Sequence, residues 1–203
     1  MKVVEVFADI ACPFTHVGLR RFQAYRQQHG ETEPVLRVRS WPLELVNGEA
    51  LDGPSLVPKI AALRADVAPD LFAGFDEHHF PATTLPAMAA EAAAYRQGLE
   101  VGERFSLAVR DALFEDGLDV SDADVLRRLR EDHRVPAPTD ADRSAVRDDF
   151  AEGKRRDVSG SPHFFTAEGD FFCPSLDIEH DADGYEVSFD VAGFQRFVSA
   201  AFD

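Results

Sequence analysis

The opening stretch of the chain limits what it can become more than any other. Residues 2 to 8, within KVVEVFAD, form a nearly continuous apolar run, the pattern of a strand covered on both faces. A helix is expected from Pro13 to Gln28, because Phe14, Val17, Phe22 and Tyr25 recur at helical spacing and His29-Gly30 supplies a stop. Val35 to Leu45 then reads as a second strand, broken by Pro42. A strand, a helix and a strand of these lengths fold as a right-handed crossover with the two strands parallel. The chain is thereby directed toward an α/β fold.

From Asp52 to Pro138 the pattern changes to helices: Ser55 to Leu71 weakly, Pro86 to Gln97 in an Ala-rich run, Val101 to Phe114, and Ser121 to Asp132. Ser121 and Asp124 resemble a capping box with Asp in place of the usual Glu or Gln. A loop with His78, His79, Phe80 and Pro81 parts the first two helices, and Pro136 and Pro138 close the region. Thr139 or Asp140 caps a further helix to Gly153. Pro162 to Thr166 and Asp170 to Cys173 form a hairpin around Glu168-Gly169, and a terminal helix from Val191 to Ala201 buries Phe194, Phe197 and Val198. The order is a β-α-β unit, a helical insertion, then helix, hairpin and helix.

At 203 residues and 45% hydrophobic content, one domain carrying an insertion buries a sufficient core without disulfides. Two cysteines, Cys12 and Cys173, make no disulfide framework, and the opening residues read as a strand rather than a secretory leader. No run approaches the ~18 continuous apolar residues of a membrane span. The expected location is the reducing cytoplasm, with no membrane partner. A net charge of −16 opposes binding to a polyphosphate backbone, which excludes nucleic acid as the expected partner.

Cys12 is the residue that points to chemistry. It follows the first strand and directly precedes Pro13, which suits the first position of a helix. There the unpaired N–H groups and the positive end of the helix dipole favour an anion, so the thiol is expected to ionise below its usual range and act as a nucleophile. The competing reading is a small hydrophobe filling a gap. No His or Cys spacing suggests a metal site.

The order of elements, with Cys-Pro at the first strand-to-helix junction, resembles a thioredoxin fold with an inserted all-helical domain. It is similar to the DsbA-like family, which includes the 2-hydroxychromene-2-carboxylate isomerases and kappa-class glutathione transferases. The resemblance covers essentially the whole chain and rests on FADIACPFTHVG, on LPAMAAEAAAYRQG with FSLAVRDALFEDGLDVSDADVL, and on VSGSPHFF. It implies a thioredoxin-like domain of residues 1–51 and 139–203 around a helical domain of residues 52–138. It also implies a cis Pro162 whose loop, with Ser161, offers a backbone edge to a thiol substrate near Pro13 and Phe14.

The family's dithiol members carry Cys-x-x-Cys, whereas this chain has Cys12-Pro13-Phe14-Thr15. Thr15 cannot resolve a mixed disulfide. Its hydroxyl either stabilises the Cys12 thiolate or is an ordinary satisfied first-turn group. Cys173, ending an apolar strand, reads as a structural thiol. His163 either sits near the sulfur or faces solvent on an edge strand, the latter being favoured. His16 lies one turn into the first helix, and His78-His79 read as a loop feature.

The resemblance implies three functions. One is a cytoplasmic thiol-disulfide oxidoreductase with Cys12 as its single nucleophile, no tightly bound cofactor, and glutathione or mycothiol as cosubstrate for a small-molecule thiol or disulfide substrate. Another is an isomerase or transferase in which a bound small thiol attacks. Its relatives hold Ser at the position of Cys12 and a Ser-Asp pair that is here interrupted, as Ser175 and Asp177 around Leu176. The last is a redox-inactive binding protein on a degenerate thioredoxin fold. The oligomeric state is left open, a homodimer being compatible.

Overall fold

In the computed structural model, which describes residues 2–181 and 184–202, strand β1 (Val3–Ala8) pairs in parallel with β2 (Val35–Ser40), from Val3 opposite Val35 to Ala8 opposite Ser40. Helix α1 (Pro13–Gln28) makes the crossover. β1 also pairs antiparallel with β3 (His163–Thr166), and β3 with β4 (Gly169–Phe172), so the sheet order is β2-β1-β3-β4. The apolar run of β1 is explained by cover on both faces. Val4, Val6 and Ala8 pack with Leu19 and Phe22 of α1 and with Phe197 and Val198 of the final helix α8 (Val191–Phe202). On the other face Phe7 packs with Trp41 and Val158, and Phe150 of α7 (Asp140–Arg155) lies against them. Gly153 permits this approach, because a Cβ there would come within 2.5 Å of the Trp41 ring.

Between β2 and α7 run α2 (Leu43–Asn47), α3 (Gly53–Asp66), α4 (Leu85–Tyr95), α5 (Leu99–Phe114) and α6 (Ala123–His133). All but α2 share a core that includes Leu56, Ile60, Met88, Phe105, Val109, Phe114 and Leu126. The result is a mixed α/β fold of thioredoxin type with a helical insertion. No described helix is long and apolar enough to cross a membrane.

Several boundaries differ from expectation for local reasons. β2 ends at Ser40 rather than Leu45, because the Leu43 N–H donates to Asp9 Oδ2 at 2.6 Å instead of to the sheet and α2 begins there. α3 stops at Asp66, where the Val67 and Ala68 N–H groups both bond the Leu63 carbonyl. Asp122, not Ser121, caps α6 by accepting from Asp124 and Val125, while the Ser121 hydroxyl is taken by Asp119. Thr139 caps α7 in a reciprocal box with Asp142. Phe197 and Val198 are buried but Phe194 only partly so. A second hairpin, β5 (Leu176–Asp181) with β6 (Gly184–Phe189), was not expected from the sequence. Its Leu176 and Val187 fill the core beside Leu56 and Ile60 of α3.

Candidate active site

β1 ends at Ala8, and the chain turns through Asp9, Ile10 and Ala11 before Pro13 opens α1 at a position that needs no donor. Cys12 is therefore the N-cap residue, extended at φ −82 and ψ 115, and its side chain caps no backbone N–H. The thiol donates to the Ser161 carbonyl at 3.1 Å. The Ser161 hydroxyl lies 2.7 Å from that of Thr15 and accepts the Asp9 N–H at 2.8 Å. The Ser161–Pro162 peptide is cis, as is Glu33–Pro34. Next along, the Pro162 carbonyl accepts the Cys173 N–H at 3.0 Å. Gly18 of α1 faces the Pro162 ring, with room for a Cβ at an ordinary contact distance of 3.4 Å. The fold thus brings Cys12, Thr15, Ser161 and Pro162 together from segments far apart in sequence. Pro13 is buried beside them and Phe14 half-buried against the helical core.

The expectation of an acidic thiol is corrected here. Cys12 is only 4% exposed, and burial raises its thiol above the ordinary range. The nearby Thr15 N–H and hydroxyl and the Ser161 hydroxyl favour the thiolate and lower it, and the Asp9 charge raises it further. Desolvation outweighs what the helix start supplies. Of the two readings of Thr15, the geometry carries both: its hydroxyl is satisfied by Ser161 and still favours the thiolate.

Asp9 is the residue that sequence reading missed. Its carboxylate is 2% exposed and accepts the Ala11 N–H at 2.7 Å and the Leu43 N–H at 2.6 Å, with the Thr84 hydroxyl at 3.4 Å. Burial raises it to about 6, against the lowering effect of the Leu43 and Ala11 bonds and of Arg110, while Glu44 adds to the rise. Arg110 of α5 is fully buried, bonded to Glu91 and Ser106, and its Nη2 lies 3.5 Å from the Asp9 carbonyl. The available signal was a lone aspartate following the apolar strand, three residues before Cys12.

His163 is neither beside the sulfur nor on a wet edge. It is 2% exposed, stacked on Phe165, with Nδ1 accepting the Ser159 N–H at 3.0 Å and Nε2 2.8 Å from Asp170 Oδ2. An acceptor Nδ1 leaves the proton on Nε2. The ring ties down the loop that carries Ser161 and Pro162. His16 fastens α1 to the helical insertion: it lies between Phe72 and Phe114, and its Nε2 is 2.7 Å from Glu115 Oε1. Burial lowers the His16 pKa, so this is a neutral imidazole donating to a carboxylate. Burial pulls Glu115 up, but bonds from His16 and from the Phe72 and Ala73 N–H groups prevail and hold it at about 2.

Cys173 is a free, buried thiol raised to about 12 by burial and then by the charge of Cys12, and its backbone sits at φ 44. Ser175 is buried and Asp177 exposed, so the two differ in access to any ligand. His78 and His79 are exposed and pair locally with Glu77 and Asp76. No group of three or more metal-ligating side chains occurs among the described residues.

The sequence profile of the DSBA-like thioredoxin domain matches residues 3–185. Comparison with curated proteins gives no match. Among solved structures, a 2-hydroxychromene-2-carboxylate isomerase superimposes with a TM-score of 0.63 at 15% identity, over 84% of this chain and 88% of that one. The cytosolic disulfide reductase DsbM from Pseudomonas aeruginosa gives 0.61 at 12% identity, over 97% of each chain. The same reductase with GSH gives 0.59 at 15% identity, over 83% of this chain and 87% of that one. At these identities the likeness is one of fold.

Proposed function

The chain belongs to the DSBA-like thioredoxin domain family, and from that premise we propose that it is a cytoplasmic thiol-disulfide oxidoreductase with Cys12 as its single nucleophile and a small thiol, glutathione or mycothiol, as resolving cosubstrate. The observation that carries this reading is the Cys12 thiol at the head of α1, 3.1 Å from the carbonyl of the Ser161–Pro162 segment. A disulfide substrate that docks against this backbone edge takes the place of the resting thiol-to-carbonyl bond. Cys12 then loses its proton to solvent, and the Thr15 and Ser161 donors stabilise the thiolate. The thiolate attacks one sulfur of the substrate, the S–S bond breaks, and the other half leaves as a thiolate that is protonated. A small thiol attacks the mixed disulfide and releases the second half. That leaves Cys12 joined to the small thiol; a second small thiol attacks the outer sulfur of this adduct, forms the small-thiol disulfide and releases the Cys12 thiolate, so two thiols are oxidised for each disulfide reduced.

Thr15 in place of a second cysteine supports resolution from outside, and so does the raised, buried Cys173. The fold-level likeness to a cytosolic disulfide reductase that has been solved with GSH supports a small thiol and the cytoplasm. The raised Cys12 thiol favours a second reading, in which a bound small thiol is itself the nucleophile of an isomerase or transferase. Turnover of a glutathione or mycothiol mixed disulfide by the wild type, Cys12→Ser and Cys173→Ser separates the two. The oxidoreductase reading expects loss of turnover in Cys12→Ser alone. Turnover retained by Cys12→Ser would sink it and favour the bound-thiol reading.

A further inference from the structure

A groove of about 660 Å³ lies between α2, α4, α6 and α7. None of Cys12, Thr15, Ser161, Pro162 and His163 lines it. That volume falls in the range of small-molecule sites. Leu45, Leu85, Leu126 and Val146 supply its apolar surface, and Leu45 is left 43% exposed. Its helix of five residues buries no residue.

The charges around the groove are its second feature. The chain carries a net charge of −16, yet the lining contains no Asp or Glu and has three arginines, Arg130, Arg143 and Arg147. Arg143 is paired with Asp140. Arg147 reaches only the Ser144 hydroxyl, at 3.2 Å, and neither it nor Arg130 has a carboxylate partner among the described residues. An apolar trough with free guanidinium groups at its rim, on an otherwise acidic protein, matches a ligand with an apolar body and one anionic head. A guanidinium fork fits a carboxylate in particular.

We infer that this groove binds a small amphiphilic carboxylic acid, its chain or ring against Leu45, Leu85, Leu126 and Val146 and its carboxylate held by Arg130 and Arg147. This goes beyond the thiol chemistry and does not depend on it. The test is calorimetric titration of the full chain with decanoate below its micelle concentration, beside 1-decanol as the uncharged twin. Decanoate should bind one per chain and at least about tenfold tighter than decanol, the worth of one charged hydrogen bond. Arg130→Gln with Arg147→Gln should bring decanoate down to the level of decanol, and Leu45→Asp should weaken both. All three positions are at the surface or the rim, and circular dichroism checks that the variants fold. Equal affinity for the two ligands, no binding of decanoate, or decanoate affinity unmoved by the arginine changes would each overturn the assignment. A wild-type dimer that Leu45→Asp converts to monomer in sedimentation would also overturn it, because the groove would then be covered by a second copy.

Discussion

Replacing Asp9 by Asn tests whether a buried charge beside Cys12 governs the site. In the folded protein burial raises this carboxyl from its ordinary 3.8 to about 6. A group whose folded pKa lies above its unfolded value stabilises the fold fully below the unfolded value, and that stability is lost as pH rises through the folded one. The window is therefore between 3.8 and about 6, and the loss across it amounts to about 3 kcal/mol. Asparagine keeps one oxygen for the Ala11 or Leu43 N–H but presents an amide N–H to the other, a cost that does not vary with pH. The informative quantity is thus the change with pH of the difference in unfolding free energy between the variant and the wild type. Urea unfolding at about pH 4 and about pH 7.5 should show the variant gaining roughly 2 kcal/mol on the wild type between the two conditions. The same substitution removes the charge that raises the Cys12 thiol, so in a Cys173→Ser background Cys12 should alkylate faster at mildly alkaline pH. A stability difference that is flat with pH, together with an unchanged alkylation profile, would refute the reasoning.

Two other outcomes are expected. Thr15→Val removes one of the hydroxyls that favour the thiolate, so the midpoint of Cys12 alkylation against pH should move upward; an unmoved midpoint would mean that the Thr15 hydroxyl only satisfies Ser161. Glu115→Gln should destabilise the fold by about 2 kcal/mol at neutral pH, discounted for a side chain 22% exposed. Because the Glu115 pKa is depressed to about 2, its contribution is present above the ordinary 4.5 and lost as pH falls toward about 2; urea unfolding at about pH 3 should show less than half the neutral-pH effect.

Much of the fold could be read from the chain because its signals are local. The apolar run of residues 2 to 8, the spacing of Phe14, Val17 and Phe22, and the cap at Thr139 or Asp140 each depend on residues a few positions apart. The β5–β6 hairpin could not be read this way. Leu176 and Val187 are buried only because α3 is there to cover them. The same holds for Leu45, which reads as the end of the second strand but lies on a helix that starts where Asp9 takes the Leu43 N–H.

The site divides along that line. Sequence alone placed a cysteine at a helix N-terminus, with a proline behind it and a threonine one turn on, because these are properties of adjacent residues. It also predicted the thiol to be acidic, since a helix start on its own favours an anion. Tertiary structure decided otherwise. Ser161, 149 positions away, covers the thiol, Asp9 stands charged and buried beside it, and His163 turns to pin the loop instead of facing sulfur or solvent. Acidity depends on how much water is excluded and which charges are enclosed with the group, and those are set by segments that meet only when the chain has folded.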